Sequence, residues 1–180
     1  SIVATLLLFS SPSLNAQSEA GAIFLLISPG ARAGGMGEAQ VAVANDAYAS
    51  YWNPAGLAFQ TGSEIAFMHV NWLPNLADDL YYEFLGFRKQ YENLGTLGGH
   101  LIYLNLGEQV RMDEFAQYQG KFTSYMMAAA LSYSSKLSGT SAFGMNAKIS
   151  YQHLVEIATG AEKGKGTSID FGFDLGYMNK

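Results

Sequence analysis

The last third of the chain alternates apolar and polar residues with a period of two, and this pattern limits the possible folds more than any other feature. Across residues 143–153 the large apolar residues occupy the odd positions and the polar residues the even ones. Residues 169–177 repeat the pattern with more aromatic side chains, and residues 123–135 follow it more weakly. Strict alternation over about ten residues predicts a β-strand that crosses a membrane as part of a barrel.

Three earlier segments have the composition of strands, although both of their faces carry apolar residues: 64–72, 80–90 and 97–106. Two connections between the six predicted strands are short (90–95 and 136–140), whereas 73–79, 107–121 and 156–166 are longer. Short turns at one end and long loops at the other are typical of outer-membrane barrels, whose long loops are extracellular. The sequence therefore predicts six antiparallel neighbouring strands. A soluble β-sandwich is the alternative, since a sandwich does not require its loop lengths to alternate.

The composition favours the membrane interpretation. Charged residues make up 14% of the chain, and 11 Tyr and 11 Phe are present, whereas soluble domains average about 25% charged residues. After residue 16 no apolar stretch reaches the roughly 18 residues that a membrane helix needs, so only a closed barrel could place this sequence in a bilayer. The net charge of −5 argues against nucleic acid as a partner, and the absence of Cys excludes disulfides and thiolate metal sites.

Six strands are fewer than the roughly eight of the smallest usual barrels. We therefore expect residues 63–180 to be the first strands of a larger all-β, antiparallel, up-and-down transmembrane barrel, and the chain to be the N-terminal part of a longer protein. Residues 1–16 are predicted to be a signal peptide that lacks its start, because a short apolar run is broken at Pro12 and followed by the small residue Ala16.

Residues 17–62 contain the most distinctive sequence of the chain. A Gly-rich stretch is followed by an Ala- and Val-rich run and then by a Trp-Asn-Pro-Ala box. The signature residues are Arg32, Gly34, Gly35, Met36, Gly37, Trp52, Asn53, Pro54 and Ala55. Asn53 before Pro54 predicts a helix N-cap with proline at the first helical position. A dinucleotide-binding fingerprint is not favoured because Gln40 stands where its third glycine would be, and a P-loop would require Gly-Lys-Ser/Thr.

This stretch resembles the N-terminal signature of FadL-like outer-membrane barrels, and within them the PorV/PorQ family associated with type IX secretion. The matching residues lie at 25–27, 31–33, 35–39 and 51–59. The resemblance implies that residues 17–62 form a plug inside the barrel. It further implies that Arg32 anchors this plug to carboxylates of the lumen, and that residues 53–55 mark the transition to the first strand.

The composition of the segment supports the same placement. Only Arg32, Glu38 and Asp46 carry charge between residues 25 and 57, and small residues dominate residues 39–49. A freely solvated arm of this length would carry more charge. We therefore expect the segment to cover the concave face of the sheet and not to extend its edge.

Three charges lie on predicted strands whose opposite face is apolar: Lys148, Asp170 and Asp174. They are expected to face the lumen, because a charge on the lipid face costs up to about 2–4 kcal/mol. Lys148 is predicted to pair with Asp170 on the neighbouring strand. The three histidines, His69, His100 and His153, have no ligand-like spacing, so the sequence nominates neither a metal nor a cofactor. No Gly-x-Ser-x-Gly elbow is present, and no enzymatic activity is predicted.

The resemblance implies an outer-membrane protein in contact with lipid, which binds secreted cargo proteins or secretion-machinery components through extracellular loops such as residues 113–115. The alternative is a FadL-like transporter of hydrophobic small molecules. Transport would require an apolar pocket on the lumen side, whereas the predicted lumen faces of the last three strands are polar.

Overall fold

The computed structural model describes residues 22–113, 115–155 and 166–180. The predicted signal peptide at 1–16 and most of the predicted loop at 156–166 lie outside these residues. No helix in the described part of the chain is both long and apolar enough to span a membrane.

Six strands form one antiparallel sheet, and each strand pairs with its neighbours in sequence. They are β1 (Ser63–Asn71), β2 (Leu80–Tyr91), β3 (Gly95–Met112), β4 (Tyr118–Lys136), β5 (Ser141–Val155) and β6 (Gly166–Asn179). The predicted fold class, an antiparallel up-and-down β architecture, is confirmed. This arrangement is the one that part of the wall of a barrel would have.

The described part of the N-terminal segment contains short helical turns and no strand. These are Ile23–Leu26, Ala31–Gly35, Gln40–Val43, Ala49–Trp52 and Pro54–Phe59. The predicted cap is confirmed: the side-chain oxygen of Asn53 accepts a hydrogen bond from the Ala55 N–H at 3.1 Å, and Pro54 occupies the first helical position.

The register gives the sheet two chemically different faces. Pairs such as Phe87 with Gly99, and Ala147 with Phe173, connect odd-numbered residues across the sheet. Even-numbered residues such as Phe84, Ile102 and Ala128 are buried. We call the even-numbered side the covered face, because residues 22–60 pack on it, and the odd-numbered side the bare face.

The hydrophobic core lies between the segment and the covered face. One cluster joins Phe24 of the segment to residues of β2, β3 and β4, including Tyr82 and Ile102. A second cluster joins Leu57 and small segment residues to Ala142 and Met178 of the last two strands. The segment therefore supplies one side of the core, and the sheet supplies the other.

The expected long loop at residues 107–121 is wrong for most of its length. β3 and β4 continue as a paired hairpin to Met112 and Tyr118, so that only a tight turn joins them. The pairing shifts register after Asn105, where Gly107 adopts a φ of +72° and the Asp79 carboxylate accepts the Glu108 N–H at 2.7 Å. Both sides of this projecting hairpin are largely exposed to solvent, so its sequence does not alternate between apolar and polar residues.

Candidate functional site

The Trp-Asn-Pro-Ala box packs on a strip of small residues on the covered face. A Cβ atom at Gly144 of β5 would overlap the backbone of Pro54 and Ala55. A Cβ atom at Gly176 of β6 would overlap the Asn53 side chain. Glycine is needed at these positions because a backbone approaches the strand closely. The helix Pro54–Phe59 therefore lies directly against the strand backbones.

Polar side chains of the strands hydrogen-bond the backbone of the segment. Asn146 donates to the Ser50 carbonyl at 2.8 Å, and Ser134 donates to the Ala55 carbonyl at 3.2 Å. His100 is buried and contacts the Ser50 hydroxyl at 3.1 Å. Buried polar groups of this kind fix position, because each would be costly to leave without a partner.

Aromatic side chains hold the start of the segment. The Tyr51 hydroxyl donates to the Leu25 carbonyl at 2.7 Å, and the Tyr82 hydroxyl donates to the Ile27 carbonyl at 3.2 Å. The Trp52 indole N–H donates to the Pro29 carbonyl at 3.2 Å. The signature residue Trp52 thus links the box to the turn that precedes the Gly-rich stretch.

Arg32 makes its contacts inside the N-terminal segment. Its guanidinium pairs with the Asp46 carboxylate at 2.9 Å and donates to Gln40 at 3.0 Å, all within the segment. Gln40 is buried and also donates to Asp46 at 3.1 Å. Asp46 lies on the returning part of the same segment, so it satisfies Arg32 locally. Arg32 therefore stabilises the fold of the segment itself, and its pairing with a carboxylate of the lumen stays a prediction.

The glycine cluster is less constrained than its density suggests. Cβ atoms at Gly34 and Gly35 would meet nothing within 4 Å, and Met36 is exposed. Only Gly37, with a φ of +60°, needs the conformational freedom of glycine. Gly144 and Gly176 instead make the close contacts with the box. They were not singled out from the sequence, although the alternation of β5 and β6 places both glycines on the polar side of their strands.

Lys148, Asp170 and Asp174 all lie on the covered face, but the predicted pair is wrong. Lys148 is directly opposite Gly172, so both aspartates are its diagonal neighbours. Its ammonium group binds Asp174 at 2.8 Å, and Asn146 donates to the same carboxylate at 3.0 Å. Asp170 instead accepts a hydrogen bond from Ser168 at 3.0 Å.

A cleft of about 520 Å³ lies where the segment meets β5 and β6. Its lining combines the Lys148–Asp174 pair and Asn53 with the rings of Tyr51 and Trp52. The cleft also includes apolar side chains such as Leu25 and Val41. A purely apolar molecule bound there would have to displace water from the Lys148–Asp174 pair and from Asn53.

The bare face is largely apolar between two rows of aromatic rings, and its charged residues there, Glu83 and Lys89, both belong to β2. At the hairpin end, rings on β1 to β5 follow one another at centroid distances of about 5.0–6.5 Å: His69, Tyr81, Tyr103, Tyr125, Tyr151 and His153. Near the short turns lie Tyr91, Tyr133 and Tyr177. Eight residues separate Tyr125 from Tyr133 along β4, which corresponds to about 26 Å.

Large apolar residues between the two rows are exposed, and Phe173 is 81% accessible. In water such a surface would be costly, since monomeric soluble proteins rarely expose large contiguous apolar patches. Because barrel strands tilt by about 35–45°, the strand length between the two rows covers roughly 18–21 Å of the apolar band, about 25 Å tall, that membrane barrels present to lipid between two aromatic girdles.

Comparison with known proteins adds one finding. The model of a protein family described as type IX secretion system protein PorV matches residues 14–179. No curated protein matches the chain.

Proposed function

The chain belongs to the family of the type IX secretion system protein PorV, and from this premise we propose that it binds exported proteins or other secretion components at the outer membrane. The bare face would contact lipid, and the β3–β4 hairpin would present the binding surface. The hairpin is the observation that carries the proposal.

The hairpin extends well beyond the aromatic row. Tyr103 belongs to the row, and β3 continues for nine more residues to Met112, which is about 30 Å of strand. Strands of about 9–11 residues suffice to cross a membrane, whereas β3 has 18 residues and β4 has 19. The extra length projects into the compartment that faces the long loops.

The end of the hairpin exposes large apolar side chains. Phe115 is 77% accessible, and Val110, Met112 and Tyr118 are also exposed. Aromatic residues and methionine are enriched where proteins bind one another. A projecting pair of strands with apolar side chains at its tip is suited to a protein partner and has no evident role in lipid contact.

Polar contacts connect the described residues of the tip. The Asp113 carboxylate accepts the N–H groups of Phe115 at 2.9 Å and Gln117 at 2.8 Å, together with the Gln119 amide at 2.9 Å. Lys121 and Glu108 form an ion pair across the hairpin. An ordered surface loses less conformational entropy when it binds.

Shortening the hairpin tests the proposal. Residues 109–122 are replaced by Asn-Gly, a favoured two-residue hairpin turn, in the full-length protein. We expect normal amounts of folded protein in the outer membrane but at least about a tenfold loss of co-purified secretion components, because the exposed anchors are removed.

The matched control replaces the short turn 137–140 at the opposite end of the sheet with the same Asn-Gly pair. It should leave co-purification unchanged. Recovery of the same partners at wild-type levels with the shortened hairpin would contradict the proposal.

The hydrogen bonds of Asp113 lead to a prediction about the stability of the hairpin turn. Hydrogen bonds, the largest from the Gln117 N–H, lower the pKa of the Asp113 carboxyl below its usual value of 3.8. A lowered pKa means that the carboxylate stabilises the turn at neutral pH, and that this contribution is lost as the pH falls through the folded-state pKa, below 3.8. Asp113→Ala should speed amide exchange at Gln117 by about tenfold at pH 7.

Asp113→Asn is the control, since its amide oxygen still accepts backbone N–H groups without the charge. It should show an intermediate exchange rate. Equal protection of the Gln117 amide in all three proteins would show that Asp113 does not order the tip.

We also propose that residues 22–60 close the lumen of the complete barrel, as the resemblance implies. Support comes from the packing of the segment on the covered face through buried contacts such as Asn146 to Ser50. The alternative of transporting hydrophobic small molecules would need an apolar cavity on that side, and the polar cleft near Lys148 does not favour it.

A further inference from the structure

The apolar bare face is not smooth: it contains a groove floored by small residues. One depression of about 440 Å³ runs from Phe87 on β2 to Phe173 on β6, over Ala129 and Ala147. A second, of about 340 Å³, adjoins it at Ala129 and reaches Tyr103 and Tyr151 in the aromatic row. Together they form a continuous path from the centre of the apolar band to its border.

The register produces this groove. Ala129 and Ala147 lie on neighbouring strands, and each is flanked across the sheet by larger residues. Leu131 stands opposite Ala147, and Phe173 stands on the other side of it. Small side chains between large ones leave a depression with walls on both sides.

We propose that this groove holds one acyl chain of a membrane lipid from the leaflet on the hairpin side. The inference rests on the proposed insertion of the bare face into the membrane. The bare-face residues that line the groove are uncharged, and the charged bare-face residues of β2, Glu83 and Lys89, lie outside it. The tyrosine row borders the outer end of the groove. The surrounding solvent there is hydrocarbon, so the occupant is a hydrocarbon chain.

A chain in the groove makes more contacts than a chain on a flat wall. Inside a bilayer the hydrophobic effect does not distinguish between the two positions, since both are apolar. Dispersion contacts do distinguish them, because groove walls touch the chain on several sides and each close atom pair adds a small attraction. At the outer end, the hydroxyls of Tyr103 and Tyr151 lie at the level of the lipid ester and headgroup, where aromatic residues with polar tips are favoured.

The test fills the groove. Ala129→Phe combined with Ala147→Phe places two rings in the depression, while Leu97→Phe adds a ring on the bare face outside it. The full-length protein is extracted in mild detergent, titrated with dipalmitoyl phosphatidylglycerol, and the bound lipids are counted by native mass spectrometry. We expect one lipid to stay on the wild type and on Leu97→Phe, and its occupancy to fall by about threefold in the filled variant.

Equal lipid occupancy in the wild type and the filled variant would overturn the inference. So would a change in oligomer size in the filled variant with unchanged lipid count, which would show that a protein surface occupies the groove. Circular dichroism and heat-modifiable gel mobility establish that all variants are folded.

A separate measurement tests insertion itself. The chain has no Cys, so Phe173→Cys, in a full-length protein with any other cysteine replaced by Ser, provides a unique position for a bimane fluorophore. In vesicles, brominated lipids should quench it strongly. Absence of quenching would contradict membrane insertion and with it the proposed function, whereas quenching together with unchanged lipid occupancy would contradict only the acyl-chain site.

Discussion

Gly144→Val is expected to lower the free energy of unfolding by about 3 kcal/mol, because overpacking a closely packed contact typically costs 1–3 kcal/mol and occasionally more. The new side chain would collide with the backbone of Pro54 and Ala55. Backbone in a capped helix cannot rotate away as a flexible side chain can. Either the segment moves off the covered face or β5 shifts, and both break the hydrogen bond from Asn146 to Ser50.

Gly172→Val is the matched control. Gly172 lies on the same face, on the adjacent strand, and a Cβ atom there would meet nothing within 4 Å. We expect this variant to unfold at wild-type urea concentrations. If both variants behave alike, the contact between the box and β5 does not determine stability.

The same pair of variants tests whether the segment closes the lumen. Single-channel conductance of the full-length barrel in a planar bilayer should rise for Gly144→Val and stay at the wild-type level for Gly172→Val. Unchanged conductance together with a clear loss of stability in Gly144→Val would mean that the segment supports the sheet without blocking a pore.

Phe173→Arg is expected to cost about 2–4 kcal/mol when the full-length protein is unfolded from lipid vesicles, which is the cost of arginine at the membrane midplane. Phe173 lies on the bare face four residues from both Ile169 and Tyr177, in the middle of β6. Its side chain is almost fully exposed, so no packing contact explains a large loss. The unfolding can be followed by the fluorescence of Trp52 and Trp72.

Phe115→Arg at the hairpin tip provides the comparison. Phe115 is nearly as exposed as Phe173 but lies beyond the aromatic row, so the change should stay within about 0.5 kcal/mol. A soluble sheet would tolerate both substitutions equally. Equal, small effects at the two positions would therefore contradict a lipid-facing bare face.

Strand positions and facing were predictable because the two-residue period of a β-strand is a property of the backbone itself. Residues 143–153 and 169–177 alternated clearly, and β5 and β6 contain them in the expected register, with Lys148 and Phe173 on opposite faces. The helix start at Asn53 was also predictable, since the cap depends only on adjacent residues.

Side-chain contacts between residues that are distant in the sequence were not predictable. Asp170 and Asp174 are equivalent diagonal neighbours of Lys148 in sequence spacing, and only the three-dimensional arrangement of the strands selects Asp174. Arg32 finds Asp46 because the segment folds back on itself. The hairpin beyond Asn105 lacked alternation because neither of its sides packs on the segment, so a strand there looked like a loop.

Because the segment supplies one side of the core and the sheet the other, the order in which they assemble matters for biogenesis. If the barrel closed before the segment was in place, Leu57 and Phe24 could no longer reach their neighbours on the strands through a gap in the sheet. The segment precedes every strand in the chain, so it emerges before them during export and is available when the strands assemble. A membrane-insertion intermediate that has a closed barrel but a protease-sensitive segment should therefore not accumulate. The segment would then act as the template around which the strands assemble.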